Sequence, residues 1–261
     1  MTNLIELDPI DFAFALALIG IAVGLSSWQR LGLEGQLATA AVRSLLQLVG
    51  IGYILAFVFA LDNLWAVLAV IAIMLTVAAI VTRNRISQKL SRLFLIAWGA
   101  IFASSALTLS YAILLVIQPP TWYEPQYLIP LAGMVIGNTV NGATIAGERL
   151  VSTIDRSRTE IETHLSLGAT PQQAVASYRK AAIRAGLIPN LNQMAIVGMV
   201  TLPGMLTGQL LSGVDPLNAV SYQILILFMQ ALANLLATSL VTQGVYRQFF
   251  NQNSQLVTIK N

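Results

Sequence analysis

The sequence predicts an all-α, polytopic membrane protein, a bundle of about seven transmembrane helices, and three observations carry that prediction. First, 56% of the 261 residues are hydrophobic and only 10% are charged, with a mean hydropathy of +0.74. A soluble domain carries roughly 25% charged residues, so lipid rather than water is the expected solvent for this much apolar surface. Second, the apolar residues gather into runs of the roughly 20 residues that a bilayer core demands. Third, the basic residues fall into alternate gaps between those runs, which is a topology signal.

Taken in order, the predicted spans are 11–28, 37–61, 64–82, 93–118, 127–147, 191–213 and 217–241. The loops after the first, third and fifth spans, together with the C-terminal tail, hold thirteen of the fourteen Lys and Arg residues. The remaining one, Arg43, lies near the same end of the second span. The opposite side carries Glu6, Asp8, Asp11, Asp62, Glu124 and Asp215 and no Lys or Arg. By the positive-inside rule the N-terminus is outside and the C-terminus cytoplasmic. A six-helix arrangement would need one interfacial segment; the first span is the short one, and dropping it would move the N-terminus inside. The leading residues MTNLIELDPI contain no Lys or Arg, so no cleavable signal peptide is expected.

Several classes are excluded early. There is no cysteine, so disulfides, thiolate metal sites and cysteine nucleophiles are absent. The pI of about 9.4 reflects a net charge of only +3, placed in short loops, so no nucleic-acid partner is expected. No repeat or linker divides the chain, which reads as one membrane domain, 1–261, whose sizeable soluble element is the stretch of about 148–190.

That stretch reads as a helix, a glycine turn and a second helix. Leu150, Ile154, Ile161, Leu165 and Leu167 recur at roughly helical spacing, and Gly168 ends the helix as a C′ residue. Thr170 then caps a new helix with Pro171 at its first position. Arg179, Lys180 and Arg184 follow toward its C-terminal end, where cations are favoured. A helical protrusion of this kind suggests docking to something in the cytoplasm. The spacing of Glu162 and Gly168, followed by Ala169, Thr170 and Pro171, resembles the coupling motif of ABC-transporter permeases, in a form with Thr163 and His164 after the acid and the later proline displaced to Pro189. His164, the only histidine, is expected at the surface.

Polar groups inside the spans are the other candidates. Asn138 and Asn141 share a face of the fifth span, beside Gly133, Gly137 and Gly142. They serve either as interhelical hydrogen-bond glue or as a polar step on a translocation path. Arg43 and Gln47 stand one turn apart on the second span; Arg43 either snorkels to the surface or pairs with an acid such as Glu148. In the sixth span Pro203-Gly204 predicts a kink or a short unwound piece, with backbone carbonyls exposed beside any cavity. Met199, Met205, Thr207 and Gln209 lie near that level, as does Met194. Methionine at such spacing usually packs, so Met199 and Met205 are candidates for metal contact without defining a ligand set.

Three segments carry a resemblance to a known family: Arg43 to Leu48; Gly133 to Asn141 with Glu148-Arg149-Leu150; and Leu202 to Gly213 followed by Asp215-Pro216 and Tyr222-Gln223. On these the chain resembles the FetB-type family of ABC permeases, with Leu206 and Val140 where methionine is frequent. The resemblance implies a permease of the bacterial inner (plasma) membrane that forms a homodimer and binds a separate cytoplasmic ATPase. It implies export of iron or another metal cation, and plant relatives are linked to aluminium tolerance. The chain has no G-x-x-x-x-G-K-[ST] motif, so ATP and Mg are expected on the partner and no cofactor on this chain, which is not itself an enzyme. Alternatives are an ABC permease for a different small solute, an ion-gradient-driven secondary transporter, and an intramembrane enzyme acting on lipid. The spans hold no Asp, Glu or His near the midplane to favour the last two.

Overall fold

The computed structural model describes residues 8–61, 63–90, 92–251 and 253–257. Glu6, Asp62 and Lys260 of the charge pattern lie outside the described residues. The chain is helical: α1 Pro9–Trp28, α2 Glu34–Leu61, α3 Leu64–Ile86, α4 Leu93–Tyr111, α5 Pro125–Arg156, α6 Arg158–Ser166, α7 Pro171–Ala174, α8 Ala176–Ile196, α9 Gly204–Leu211 and α10 Pro216–Arg247. A π-helical turn, Ala112–Ile117, extends α4. Proline occupies the start of α1, α5, α7 and α10, where its missing N–H would have had no partner in any case. At α10 the Asp215 Oδ1 also accepts from the backbone N–H of Leu217 and Asn218, each at 3.1 Å.

Six helical stretches among the described residues are long and apolar enough to cross a bilayer: Ile10–Trp28, Glu34–Leu61, Leu64–Ile86, Leu93–Ile117, Pro125–Arg156 and Pro216–Arg247. The protein is therefore a polytopic, multi-pass helical membrane protein. The predicted sixth span, 191–213, is not one helix. α8 enters it from upstream and stops at Ile196, a turn closed by the Val197–Thr201 bridge follows, and α9 starts at Gly204. The break begins upstream of the expected Pro203-Gly204 and ends there, because Gly198 takes a left-handed φ of 81° and already turns the chain.

The stretch 148–190 is likewise divided differently from the prediction. α5 runs on to Arg156 and α8 begins at Ala176, so only α6, α7 and their turns stand apart from the long helices. Nothing in Leu150 to Arg156 interrupts α5, and α8 runs on through Gly186 and past Pro189 because its packing against α5 and α10 holds the helix there.

The chain divides into two compact units. The first contains the α1–α2 hairpin, whose turn is tied by Ser26: its Oγ donates to Glu34 at 3.1 Å and accepts from the Leu33 N–H at 3.3 Å. Leu18, Ile21 and Leu25 on α1 and Leu46, Val49 and Phe57 on α2 are exposed, as side chains facing lipid are. In the second unit α5 and α10 form the central pair, α3 packs on α5, α4 on α10, and α8 against both central helices. With 32 residues each, α5 and α10 are about 48 Å long, against roughly 30 Å of hydrocarbon. The excess emerges at the Arg-rich end, where Leu93, Leu150, Ile154, Ile161, Val175, Val245 and Phe249 build a buried cluster.

Candidate functional site

The α6–α7 turn is built from local chemistry. Gly168 has φ +91°, a conformation that a side chain would strain, and nothing lies within 4 Å of where its Cβ would be. Its N–H donates to the Leu165 carbonyl and the Ala169 N–H to the His164 carbonyl, both at 3.0 Å, the paired bonds of a Schellman ending. Thr170 then forms a reciprocal capping box with Gln173: Gln173 N–H donates to Thr170 Oγ1 at 3.3 Å, and Thr170 N–H to Gln173 Oε1 at 2.9 Å. Pro171 opens α7. Glu162, Gly168, Thr170 and His164 are exposed, Ala169 and Pro171 half-buried, and Leu167 presents 81% of its surface at the tip.

Behind this exposed tip the hairpin is bolted down. Ile161 of α6 and Val175, between α7 and α8, are fully buried among Ile86, Leu150, Ile154, Val245 and Phe249, which come from α3, α5 and α10 and the residues after it. The Tyr178 phenol at the start of α8 lies beside Glu160 and Ser157 of the hairpin; burial first, and then the Glu160 carboxylate, push its pKa up. Arg179 fastens α8 to α10, its Nε donating to Thr242 Oγ1 and its guanidinium to the Ser239 carbonyl, both at 3.3 Å.

From Tyr178 α8 runs into the bundle as one rod. Its 21 residues span about 30 Å and lead from the hairpin to the polar residues of α5. Asn190, 3% exposed, donates from Nδ2 to Asn138 Oδ1 at 3.4 Å. One turn earlier Gly186 meets α5 and α10 so closely that a Cβ would lie 2.6 Å from the Gly142 carbonyl oxygen and 3.0 Å from the Thr238 methyl. Asn234 of α10 donates from Nδ2 to the Gly186 carbonyl at 3.3 Å, and its Oδ1 occupies the space that a Cβ on Gly142 would need. Glycines at both crossings let three backbones meet around buried amides. Gly142 is the 18th residue of α5 and Asn234 the 19th of α10, so the crossing lies about 26 Å from the helix starts, within the bilayer.

One face of α5 stays open. Gly137, Asn141 and Glu148, spaced at four and seven residues, are exposed, with Asn138 half-buried at its edge. Of the other predicted residues, Arg43 and Gln47 are exposed on α2 in the first unit. Met199 is 82% exposed in the turn after α8, Pro203 and Met205 are half-buried, and Gly204 begins α9. Thr207 Oγ1 bonds its own helix, donating to the Pro203 carbonyl at 3.2 Å, and Gln209 is half-buried with an Oε1 that accepts no bond among the described residues. No group of three or more His, Cys, Asp or Glu is placed to hold a metal among the described residues.

Sequence reasoning passed over Asn190, Asn234 and Gly186 as functional positions. Asn234 had a signal, since it is an amide inside an apolar stretch of α10, one turn after Gln230, where such a group is costly unless bonded.

The family model described as "Uncharacterised protein family (UPF0014)" matches residues 9–250. The chain is 59% identical over 254 residues to the UPF0014 membrane protein slr1647 of Synechocystis sp., covering 97% of this chain and 98% of that one. It is 33% identical over 247 residues to the "Probable iron export permease protein FetB" of Escherichia coli, covering 95% and 94%. Identity to the protein ALUMINUM SENSITIVE 3 of Arabidopsis thaliana is 34% over 247 residues, covering 94% and 89%. No solved structure matches the chain.

Proposed function

The chain belongs to the UPF0014 membrane-protein family, and from that premise we propose that it is the membrane-spanning subunit of an ATP-driven metal-cation exporter. The observation that carries this reading is the α8 rod, rooted in the hairpin at Val175 and Tyr178 and reaching the open polar face of α5 through Asn190. The exposed tip, Glu162 to Pro171, seats in a cleft of a separate cytoplasmic ATPase, which hydrolyses ATP with Mg. This chain has no phosphate-binding motif of its own. The relative named as a probable iron export permease supports iron or a similar cation as cargo.

In mechanism, nucleotide-driven closure of the ATPase pushes on the tip. Ile161 and Val175 transmit the push because a close-packed core deforms little, and α8 carries it to the level of Asn138. Two copies of the permease face each other across the open side of α5, so that Asn138, Asn141 and Glu148 line the route. Amide oxygens suit a hard cation stripped of part of its water. The turn at 197–203 supplies further carbonyl oxygens, with Met199 and Met205 beside them.

The test is ATPase activity of the purified permease reconstituted with the ATPase encoded beside it. Ferrous iron should stimulate hydrolysis, and a Gly168→Trp permease should insert normally but lose the stimulation. An ATPase that neither co-purifies with the chain nor responds to it would overturn the reading.

A further inference from the structure

At the Arg-rich end of the second unit, Arg149 of α5 and one side of α8 enclose a groove of about 400 Å³. Lys180 and Arg184 line it with Arg149, while Ala181, Ala185 and Ile188 supply its apolar part. All three cations are exposed, and none forms an ion pair among the described residues, where the ion pair present is Arg158–Asp155. Like charges gathered at one groove repel each other unless an anion sits between them.

The groove is graded along the membrane normal. α8 runs from the hairpin into the bundle, so Ala185 and Ile188 lie deeper than Lys180 and Arg184, and Ala181, Ala185 and Ile188 follow one another on one face. Arg149 is the 25th residue of α5, about 36 Å along the axis from Pro125, which follows the interfacial pair Trp122 and Tyr123. With roughly 30 Å of hydrocarbon, that places the three cations at headgroup depth and the apolar part at the start of the acyl chains. A soluble anion would have no use for Ile188, which is 53% exposed.

We propose that this groove binds an anionic phospholipid of the adjoining leaflet. Arg149, Lys180 and Arg184 surround its phosphate, and an acyl chain lies along Ala181, Ala185 and Ile188. Basic pockets between helices on the cytoplasmic side are suited to such headgroups. Because the groove spans α5 and the same rod that carries the hairpin, a lipid there braces the two helices against each other.

Native mass spectrometry of the full chain in detergent tests this, with phosphatidylglycerol, phosphatidylcholine and glycerol 3-phosphate as probes. The wild type should retain phosphatidylglycerol and not phosphatidylcholine. The triple change Arg149→Gln, Lys180→Gln, Arg184→Gln should weaken phosphatidylglycerol binding about 100-fold, from roughly 1 kcal/mol per cation. An Arg85→Gln, Arg156→Gln, Arg247→Gln control should bind as the wild type does. Ala185→Trp fills the apolar part without altering charge and should also weaken binding; with single Arg184→Gln it decides the matter if the triple variant misfolds. Equal binding by wild type and triple variant, equal loss in the control, or glycerol 3-phosphate binding as tightly as the lipid would each overturn the proposal. So would unchanged lipid binding with loss of ATPase co-purification, which would make the groove a protein-docking face.

Discussion

Asn190 donates a hydrogen bond from its side-chain amide to Asn138 across 3.4 Å, joining the inner part of α8 to the open face of α5 over 52 positions of sequence. The same α8 begins at the hairpin that presents Gly168, so one helix touches both candidate sites. Replacing Asn190 by Leu removes that link. Interhelical hydrogen bonds in membranes contribute about 0.6–2 kcal/mol, so the variant should remain folded. Export from vesicles should fall more than tenfold while ATP hydrolysis persists; an unchanged export rate would remove Asn138 from the route.

Gly186 is a packing position, and its effect should appear as lost stability. A Cβ there meets the Gly142 carbonyl oxygen at 2.6 Å, with backbone on both sides, so neither partner gives easily. Gly186→Ala should cost about 1–3 kcal/mol in denaturant titrations. Gly204→Ala, with nothing within 4 Å, is the control and should stay near the wild type.

Gly168 is a conformational position, which predicts a different pattern. Its φ of +91° stands in open space, so Gly168→Val strains the backbone without a clash, by about 1–3 kcal/mol. Gly168→Asn should be milder, since Asn tolerates left-handed geometry better. The ranking Gly, Asn, Val should appear in stimulation of the partner ATPase, and the melting temperature should fall in the same order by a few degrees per kcal/mol.

The hairpin should loosen at high pH. The Tyr178 phenol is held protonated by burial and by the Glu160 carboxylate, so its folded pKa lies above the ordinary value near 10. Its stabilisation is complete below the ordinary value and is lost as pH rises from there through the raised folded value. Tyr178→Phe should flatten that dependence in amide hydrogen exchange of α6 and α7. A wild-type hairpin as well protected above this window as below it would contradict the assignment.

Much of the architecture was legible because the signals are local. The apolar runs behind α1 to α5 and α10 reflect a bilayer thickness that every span must match, and Gly168, Thr170 and Pro171 act through bonds three to five residues apart. In the 191–213 region the unwound piece expected at Pro203-Gly204 is present, but it begins earlier, at Gly198 and the Val197–Thr201 bridge, which a count of apolar residues does not register. The 148–190 boundaries shifted because a helix that leaves the membrane need not end at its surface, as α5 and α8 both show.

By itself, the sequence determined the solvent of this protein, the apolar runs behind its long helices, the gathering of its cations in alternate gaps between those runs and the turn at Gly168. These follow from composition and from chemistry within one helical turn. Only the tertiary structure decided that Asn190 meets Asn138, that Asn234 meets the Gly186 carbonyl one turn away, that Gly142 and Gly186 mark the crossing, and that α8 links hairpin to bundle. The reason is that an amide in lipid must find a partner, and the partner is named by which helices pack together rather than by which residues are neighbours in the chain.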